Sequence, residues 1–185
     1  MTREAIGQRI CVIGTSGSGK SYVARALAGR LRLRYIESDA LIWRAGWEQV
    51  PRDEQYLAFD GATRKGGWTF DGNIGPSPED QLVLSRCDTL VWLDLPRWQV
   101  MASITRRTLR RVLTRGRLWH GNVEPWRRVV SRDSMIVYAW RTYGRQKQRY
   151  AGLFAESEGT RTKIRLTSRR EVDGWLAAIL RAPRD

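Results

Sequence analysis

The apolar residues of the chain alternate between short runs and longer stretches with helical spacing. Short runs rich in β-branched and aromatic residues predict strands at residues 9–14, 35–37, 68–71, 89–94 and 163–166. Apolar residues three or four apart predict helices over residues 21–32, 52–65, 98–113 and 171–181. Strands that alternate with helices favour an α/β fold, with a parallel sheet of about five strands flanked by helices.

Composition narrows the class of protein. The 185 residues are 42% hydrophobic and 28% charged, which favours one folded domain over residues 1–185 and argues against disorder. No apolar run approaches the roughly 18 residues of a membrane span. Residues 1–9 are too polar for a signal peptide, and Cys11 and Cys87 have no CxxC partner. A cytoplasmic protein with reduced thiols and no membrane partner is therefore expected.

The most specific motif lies between the first predicted strand and the first predicted helix. It is a complete G-x-x-x-x-G-K-[ST] sequence, the P-loop pattern. Its residues are Gly14, Thr15, Ser16, Gly17, Ser18, Gly19, Lys20 and Ser21. Glycines let backbone N–H groups wrap around phosphates, Lys20 adds a charge at the β/γ oxygens, and Ser21 is the natural magnesium ligand. ATP and Mg²⁺ are the predicted cofactors.

Three carboxylates follow predicted strands. Asp71 and Asp94 end the third and fourth strands, so either could hold the water shell of the metal or cap the next turn. Asp39 follows the second strand, at the edge where open α/β sheets bind ligands. It could accept a proton from an attacking hydroxyl, hold the acceptor, or cap the helix that begins near Ala40.

Aromatic residues lie next to Asp39 in the sequence. Trp43 and Trp47 flank Gly46 and could stack a base or another flat ring, or pack against the core or a lid. With Asp39 and with Asn73, which follows Asp71-Gly72, they form the predicted acceptor site.

Basic charge is concentrated in one segment. The chain has 33 Lys+Arg against 19 Asp+Glu, a net charge of +14, and residues 97–149 contain 14 basic and 2 acidic residues. This segment is either a solvated helical face or a site for nucleic acid, an acidic membrane surface or a phosphorylated small molecule. Trp119 and Trp126 interleave with its arginines, a pattern that also suits single-stranded nucleic acid.

Together these motifs resemble the nucleoside monophosphate kinase group, of which adenylate kinase is the best-known member. The P-loop, Asp71-Gly72 and the Asp94-x-Pro96 turn occur in the order of that group. Further segments are similar to small bacterial adenylate-kinase-like proteins, often labelled DNA topology modulation proteins. They are residues 35–41, 71–73, 92–96, 106–108, 118–124 and 139–143.

The resemblance implies a P-loop kinase core with a basic helical lid over about 106–145. It implies that Asp71 is the carboxylate on the side of the metal and that Arg107 is the arginine at the start of the lid. It also implies that Arg141 and Arg145 bind phosphate from the helix that returns from the lid. Adenylate kinases follow the Asp-Gly pair with an arginine that grips the acceptor phosphate, whereas residues 73–78 contain none.

The predicted function is transfer of the ATP γ-phosphoryl to a small acceptor, a nucleoside or nucleotide. Lys20, Mg²⁺ and the lid arginines would stabilise the transferring group while Asp39 orients the acceptor. Glu37-Ser38-Asp39 resembles the Asp-Ser-Asp of shikimate kinases, so a kinase of a small hydroxylated metabolite is one alternative. A nucleic-acid-binding ATPase or regulator is another. The acceptor, the choice between ATP and GTP, and the oligomeric state stay open.

Overall fold

A computed structural model describes residues 6–114, 134–156 and 161–181. Five parallel strands form one sheet in the order β2-β3-β1-β4-β5, which confirms the predicted α/β fold. They are β1 (Arg9–Gly14), β2 (Arg34–Glu37), β3 (Trp68–Asp71), β4 (Thr89–Leu93) and β5 (Thr162–Leu166). The order places β1, which leads into the P-loop, at the centre of the sheet.

The described helices flank this sheet. They are α1 (Lys20–Leu31), α2 (Ser38–Ile42), α3 (Arg52–Thr63), α4 (Pro78–Arg86), α5 (Arg97–Thr114), α6 (Met135–Ala155) and α7 (Arg169–Arg181), with a 3₁₀ turn at Ala45–Trp47. Helix α4 is absent from the sequence prediction. Pro78 stands in its first turn, and the Ser77 hydroxyl accepts a hydrogen bond from the Asp80 N–H, so a proline-rich stretch begins a helix here.

Alternate residues of the central strands face two hydrophobic cores. Ile10 and Val12 of β1 pack in one core with residues of α1 and α7, while Cys11 and Ile13 pack in the other with residues of α3, α4 and α6. Burial on both faces is typical of a parallel sheet. Because both faces are packed, the chain leaving β1 has a fixed position.

Two further features concern the class of protein. Cys11 and Cys87 are both buried free thiols. None of the helices in the described ranges has the length and apolar character needed to cross a membrane.

Candidate active site

The P-loop has a conformation that requires its glycines. Gly17 and Gly19 have φ angles of 90° and 97°, which L side chains rarely adopt. A Cβ on Gly17 would lie 2.8 Å from the Val100 carbonyl oxygen of α5, and one on Gly14 would lie 2.9 Å from the Leu93 carbonyl oxygen. The loop is therefore held closely between β4 and α5.

Lys20 lies over this loop. Its ammonium donates hydrogen bonds to the carbonyl oxygens of Gly14 at 2.8 Å and Thr15 at 3.2 Å. Burial lowers the pKa of Lys20, and the Asp71 and Asp39 carboxylates oppose that shift. Ser18 is buried, and its hydroxyl has no hydrogen-bond partner among the described residues. A half-buried ammonium and an unpartnered buried hydroxyl fit a loop that holds the phosphates of a nucleotide.

A cleft of about 1260 Å³ opens beside the loop. Ligand pockets usually measure about 300–1,000 Å³, so this cleft has room for a nucleotide and a second molecule. It brings together residues that the sequence predicted for the phosphate, metal, acceptor and lid roles. These residues are Lys20, Ser21, Asp39, Trp43, Trp47, Asp71, Asn73 and Arg107.

Asp39 lines the cleft from the first turn of α2. Glu37 occupies the N-cap position of that helix, so the alternative that Asp39 caps it is wrong. Burial raises the pKa of Asp39, Lys20 opposes this shift, and the Asp71 and Glu37 carboxylates add to it. A carboxylate whose pKa is raised toward neutrality is suited to accept a proton.

Asp71 ends β3 and is buried in the cleft. One of its oxygens, Oδ2, accepts a hydrogen bond of 2.9 Å from the Tyr35 hydroxyl. In the described ranges, no three His, Cys, Asp or Glu side chains group together as a metal site. Mg²⁺ is usually held by one or two protein ligands, waters and substrate phosphates, so Ser21 and Asp71 suffice as the protein side of such a site.

The structure removes Asp94 as the alternative metal carboxylate. Lys147 of α6 approaches Asp94 Oδ1 at 3.0 Å, and Arg165 of β5 donates from Nε to Oδ2 at 3.0 Å. Asp94 does not line the cleft. Two cations already bind its carboxylate. Asp94 therefore links the end of β4 to β5 and α6 and has a structural role, not a metal-binding one.

The predicted lid arginines are divided. Arg107 lies on α5, where its charge acts on both Lys20 and Asp39, so it stands near the space between the P-loop and Asp39. Arg141 and Arg145 are exposed on α6 and do not line the cleft. They are not among the residues that the structure brings to the cleft, because α6 presents Met135 and Tyr138 there.

Several cleft residues were missed by sequence reasoning. Arg110 also lines the cleft, and its position one helical turn after Arg107 is a signal that could have found it. Arg169 begins α7, and its Nη1 lies 2.9 Å from where a Cβ on Gly19 would be. Only the fold brings Arg169 to the P-loop. Residues 115–133, the middle of the predicted lid with Trp119 and Trp126, lie outside the described residues.

Comparisons with known proteins support the fold. No family model matches the chain. Forty-five residues, 24% of this chain, are 40% identical to a shikimate kinase from Nitrobacter winogradskyi. The match spans only 21% of the length of that relative.

Solved structures match almost the whole chain. A shikimate kinase from Acinetobacter baumannii in complex with shikimate aligns with a TM-score of 0.58 and 17% identity, over 92% of this chain and 89% of that one. A gluconokinase from Sinorhizobium meliloti 1021 aligns at 0.51 and 15%, over 92% and 88%. A shikimate kinase from Bacteroides thetaiotaomicron aligns at 0.54 and 12%, over 91% and 94%. The chain therefore has the P-loop kinase fold.

Proposed function

We propose that the protein is an ATP-dependent kinase that transfers a phosphoryl group to a hydroxyl group of a small acceptor. The observation that carries this proposal is the placement of Lys20 and Asp39 in one cleft, where each shifts the pKa of the other. One end of the cleft suits nucleotide phosphates, and the other suits a molecule that gives up a proton.

At the nucleotide end, the P-loop N–H groups and Lys20 bind the phosphates, and Ser21 and Asp71 hold Mg²⁺. ATP, when bound, supplies the electrophilic γ-phosphoryl group and a leaving ADP. Arg107 neutralises charge near the transferring group, which is the main contribution a protein makes to phosphoryl transfer.

At the acceptor end, Asp39 holds the reacting hydroxyl and takes its proton. The acceptor oxygen forms a bond to phosphorus as the bond from phosphorus to the β-phosphate oxygen breaks. The raised pKa of Asp39 supports this role, because the carboxylate then holds the proton more firmly than an exposed aspartate would.

The predicted lid over 106–145 is part of the proposal. Ser103, Arg107 and Arg110 of α5 and Met135 and Tyr138 of α6 line the cleft. Closure of these two helices would therefore exclude water. The proposed kinase is one domain over residues 1–185. The resemblance to proteins labelled DNA topology modulation proteins stays a prediction, as does nucleic-acid binding by the basic segment.

Two acceptor classes fit. Trp43 and Trp47 in the cleft support a nucleoside, and the likeness to shikimate kinase and gluconokinase structures supports another hydroxylated metabolite.

Acceptor-stimulated ADP release from MgATP tests the proposal. Lys20→Ala is expected to reduce turnover by about 10²–10³-fold, because one donor aimed at developing charge contributes that much, without changing the circular dichroism spectrum. Lys65→Ala is the matched control, since Lys65 is exposed after α3 and does not line the cleft. Equal turnover in Lys20→Ala and Lys65→Ala would refute the proposed kinase function.

A further inference from the structure

Trp47 has a backbone conformation that its residue type normally avoids. Its φ angle is 62°, in the left-handed region, where glycine is common and a bulky residue is an outlier. Gly46, directly before it, also has a positive φ, of 76°, but has no side chain to clash. The other described non-glycine residue with a positive φ is Arg32, which follows the last turn of α1, a usual place for this conformation. The conformation of Trp47 needs a different explanation.

A small hairpin holds Trp47 in this conformation. An antiparallel bridge joins the two sides of the hairpin at Trp43 and Gln49. The N–H of Arg44 donates a hydrogen bond of 2.8 Å to the carbonyl oxygen of Glu48, and the side chains of these two residues form an ion pair at 3.8 Å. Because these contacts fix the loop on both sides of Trp47, the surrounding structure can maintain the strained backbone.

The indole ring of Trp47 lines the cleft together with that of Trp43. Both residues are half-buried, and their rings meet edge to face, with centroids 6.1 Å apart and planes at 72°. Such a pair has a defined orientation and offers a surface for another ring. Glycine would fit the backbone at position 47 without strain, but it would leave no ring in the cleft. Backbone strain of this kind clusters at sites that bind ligands.

The indole pair lies next to the carboxylate of Asp39. The Trp43 N–H donates a hydrogen bond of 3.1 Å to the carbonyl oxygen of Asp39, so these two residues lie one turn of α2 apart. Both line the cleft. In the proposed function, Asp39 holds the reacting hydroxyl of the acceptor. An acceptor whose hydroxyl reaches Asp39 therefore places the rest of the molecule beside the indole pair.

We infer that Trp47 is a specificity-determining residue, which is held in a strained conformation and selects acceptors with a flat ring face. This inference rests on the proposed kinase function and specifies its substrate class. Aromatic bases and the apolar faces of cyclic polyols share this chemistry, whereas open-chain polyols lack it.

Matched acceptor pairs test the ring preference. One arm compares adenosine with ribose, which lacks the flat base, and the other compares inositol with sorbitol, its open-chain counterpart. Calorimetry in the presence of a non-hydrolysable ATP analogue gives acceptor affinity without turnover, and ADP release gives kcat/KM. In at least one arm, the first member of the pair is expected to bind about tenfold more tightly than the second.

Two substitutions of Trp47 test its role in this preference. Trp47→Ala and Trp47→Gly both remove the ring, so each should reduce affinity for the preferred acceptor by about tenfold and leave affinity for the ATP analogue unchanged. Trp98→Ala and Trp98→Gly are the matched controls, because Trp98 is 70% exposed on α5 and does not line the cleft. Both controls should keep the affinity and the preference of the wild-type protein.

Thermal unfolding of the same four variants tests the strain. Glycine inside a helix is less stable than alanine, so Trp98→Gly should have a lower Tm than Trp98→Ala. At a positive φ the order is reversed, because alanine keeps the strain and glycine relieves it. The Tm of Trp47→Gly should therefore exceed that of Trp47→Ala by about 2–4 °C. Each comparison holds the loss of the ring constant, so its sign reports the backbone.

The outcomes separate the inference from the function beneath it. Trp47 variants that keep the ring preference, or a wild-type protein that binds neither adenosine nor inositol more tightly than its counterpart, would overturn the inference. The kinase would stand as long as turnover with any acceptor depends on Lys20. A Tm of Trp47→Gly below that of Trp47→Ala would overturn the strained conformation. A Trp47-dependent preference in calorimetry without any phosphoryl transfer would refute the kinase and leave the specificity role standing.

Discussion

The hydroxyl of Tyr35 on β2 donates a hydrogen bond of 2.9 Å to Oδ2 of Asp71 on the neighbouring strand β3. Burial, together with the Asp71 and Glu37 carboxylates, raises the pKa of Tyr35, so the phenol stays protonated and remains a donor. This bond fixes one oxygen of Asp71 and leaves the other for the water shell of a metal. Tyr35 is thus a positioning residue for the proposed Mg²⁺ site.

Tyr35→Phe should therefore impair the Mg²⁺ dependence of turnover while the P-loop stays intact. A hydrogen bond to a charged group contributes about 1.5–3 kcal/mol, so kcat should fall by ~10-fold or more and the Mg²⁺ concentration for half-maximal turnover should rise. Titration of ADP release with Mg²⁺ measures both. Tyr56→Phe, on the exposed face of α3, should leave both unchanged; the same Mg²⁺ titration curve for Tyr35→Phe and wild type would contradict this role.

The pH dependence of turnover should report Asp39. Burial and the neighbouring Asp71 and Glu37 carboxylates raise its pKa, and a general base must be ionised to act. As the pH decreases, turnover should therefore begin to fall at a higher pH than it would with an ordinary aspartate, whose pKa is about 3.9. Glu37→Gln removes one of the charges that raise this pKa, so it should move the acid limb of log(kcat/KM) to lower pH.

Glu54→Gln is the control for that profile, because Glu54 pairs with Arg44 and does not line the cleft. An acid limb that shifts equally in both variants, or moves upward in Glu37→Gln, would exclude Asp39 as the titrating base.

Asp39 should also lower stability where it is ionised. Its pKa is higher in the folded than in the unfolded chain, so the folded state binds the proton more tightly. Ionised Asp39 therefore reduces stability above its folded pKa, and protonation removes this penalty at low pH. Asp39→Asn should raise the Tm by about 2 °C near pH 8 and by less near about pH 4, as differential scanning calorimetry would show. An equal change at both pH values would mean that its charge is not the cause.

The arginines can be separated by position. Arg107→Ala should reduce turnover by about 10²-fold or more, because it removes a cation near the transferring group, with little effect on ATP-analogue affinity. Arg141→Ala and Arg145→Ala are matched controls, since both arginines are exposed on α6 outside the cleft. Loss of turnover in the two controls as large as in Arg107→Ala would mean that α6 turns these residues into the site during closure.

The parts of this site that could be predicted from the sequence depend on local chain geometry. The P-loop motif has a fixed spacing, and Asp39 and Asp71 meet because the carboxyl ends of parallel strands share one edge of a sheet. The unpredicted parts depend on packing. The face that α6 turns toward the cleft leaves Arg141 and Arg145 out of its lining. Arg169 reaches the P-loop only because α7 packs beside α1.

Tyr35 illustrates the same limit. The alternation of side chains along a strand predicts which face of the sheet the Tyr35 side chain lies on. Its hydrogen bond to Asp71, however, depends on the register of β2 against β3. No spacing rule supplies that register. From the residues alone either Asp71 or Asp94 could hold the metal, and only the resemblance to a known kinase group favoured Asp71. The approach of Lys147 and Arg165 to Asp94 adds a physical reason for that choice.

That distinction yields the last prediction. The Asp94 side chain is 4% exposed and binds two cations, whereas Asp71 lines the cleft. Asp94→Asn should lower the Tm by about 3–6 °C, since losing charged hydrogen bonds of ~1.5 kcal/mol shifts a domain of this size by that much. Its Mg²⁺ dependence should match wild type. Asp71→Asn should do the reverse, with turnover that saturates only at higher Mg²⁺ and with a smaller change in Tm.

Thermal unfolding and Mg²⁺ titration on the same preparations measure both effects. Arg165→Ala separates a structural from a metal role for Asp94, because it removes a partner of that carboxylate without removing any candidate metal ligand. It should lower the Tm and leave the Mg²⁺ dependence intact. A rise in the Mg²⁺ requirement of Asp94→Asn, with Arg165→Ala unchanged, would return Asp94 to the metal site and contradict the structural role assigned to it.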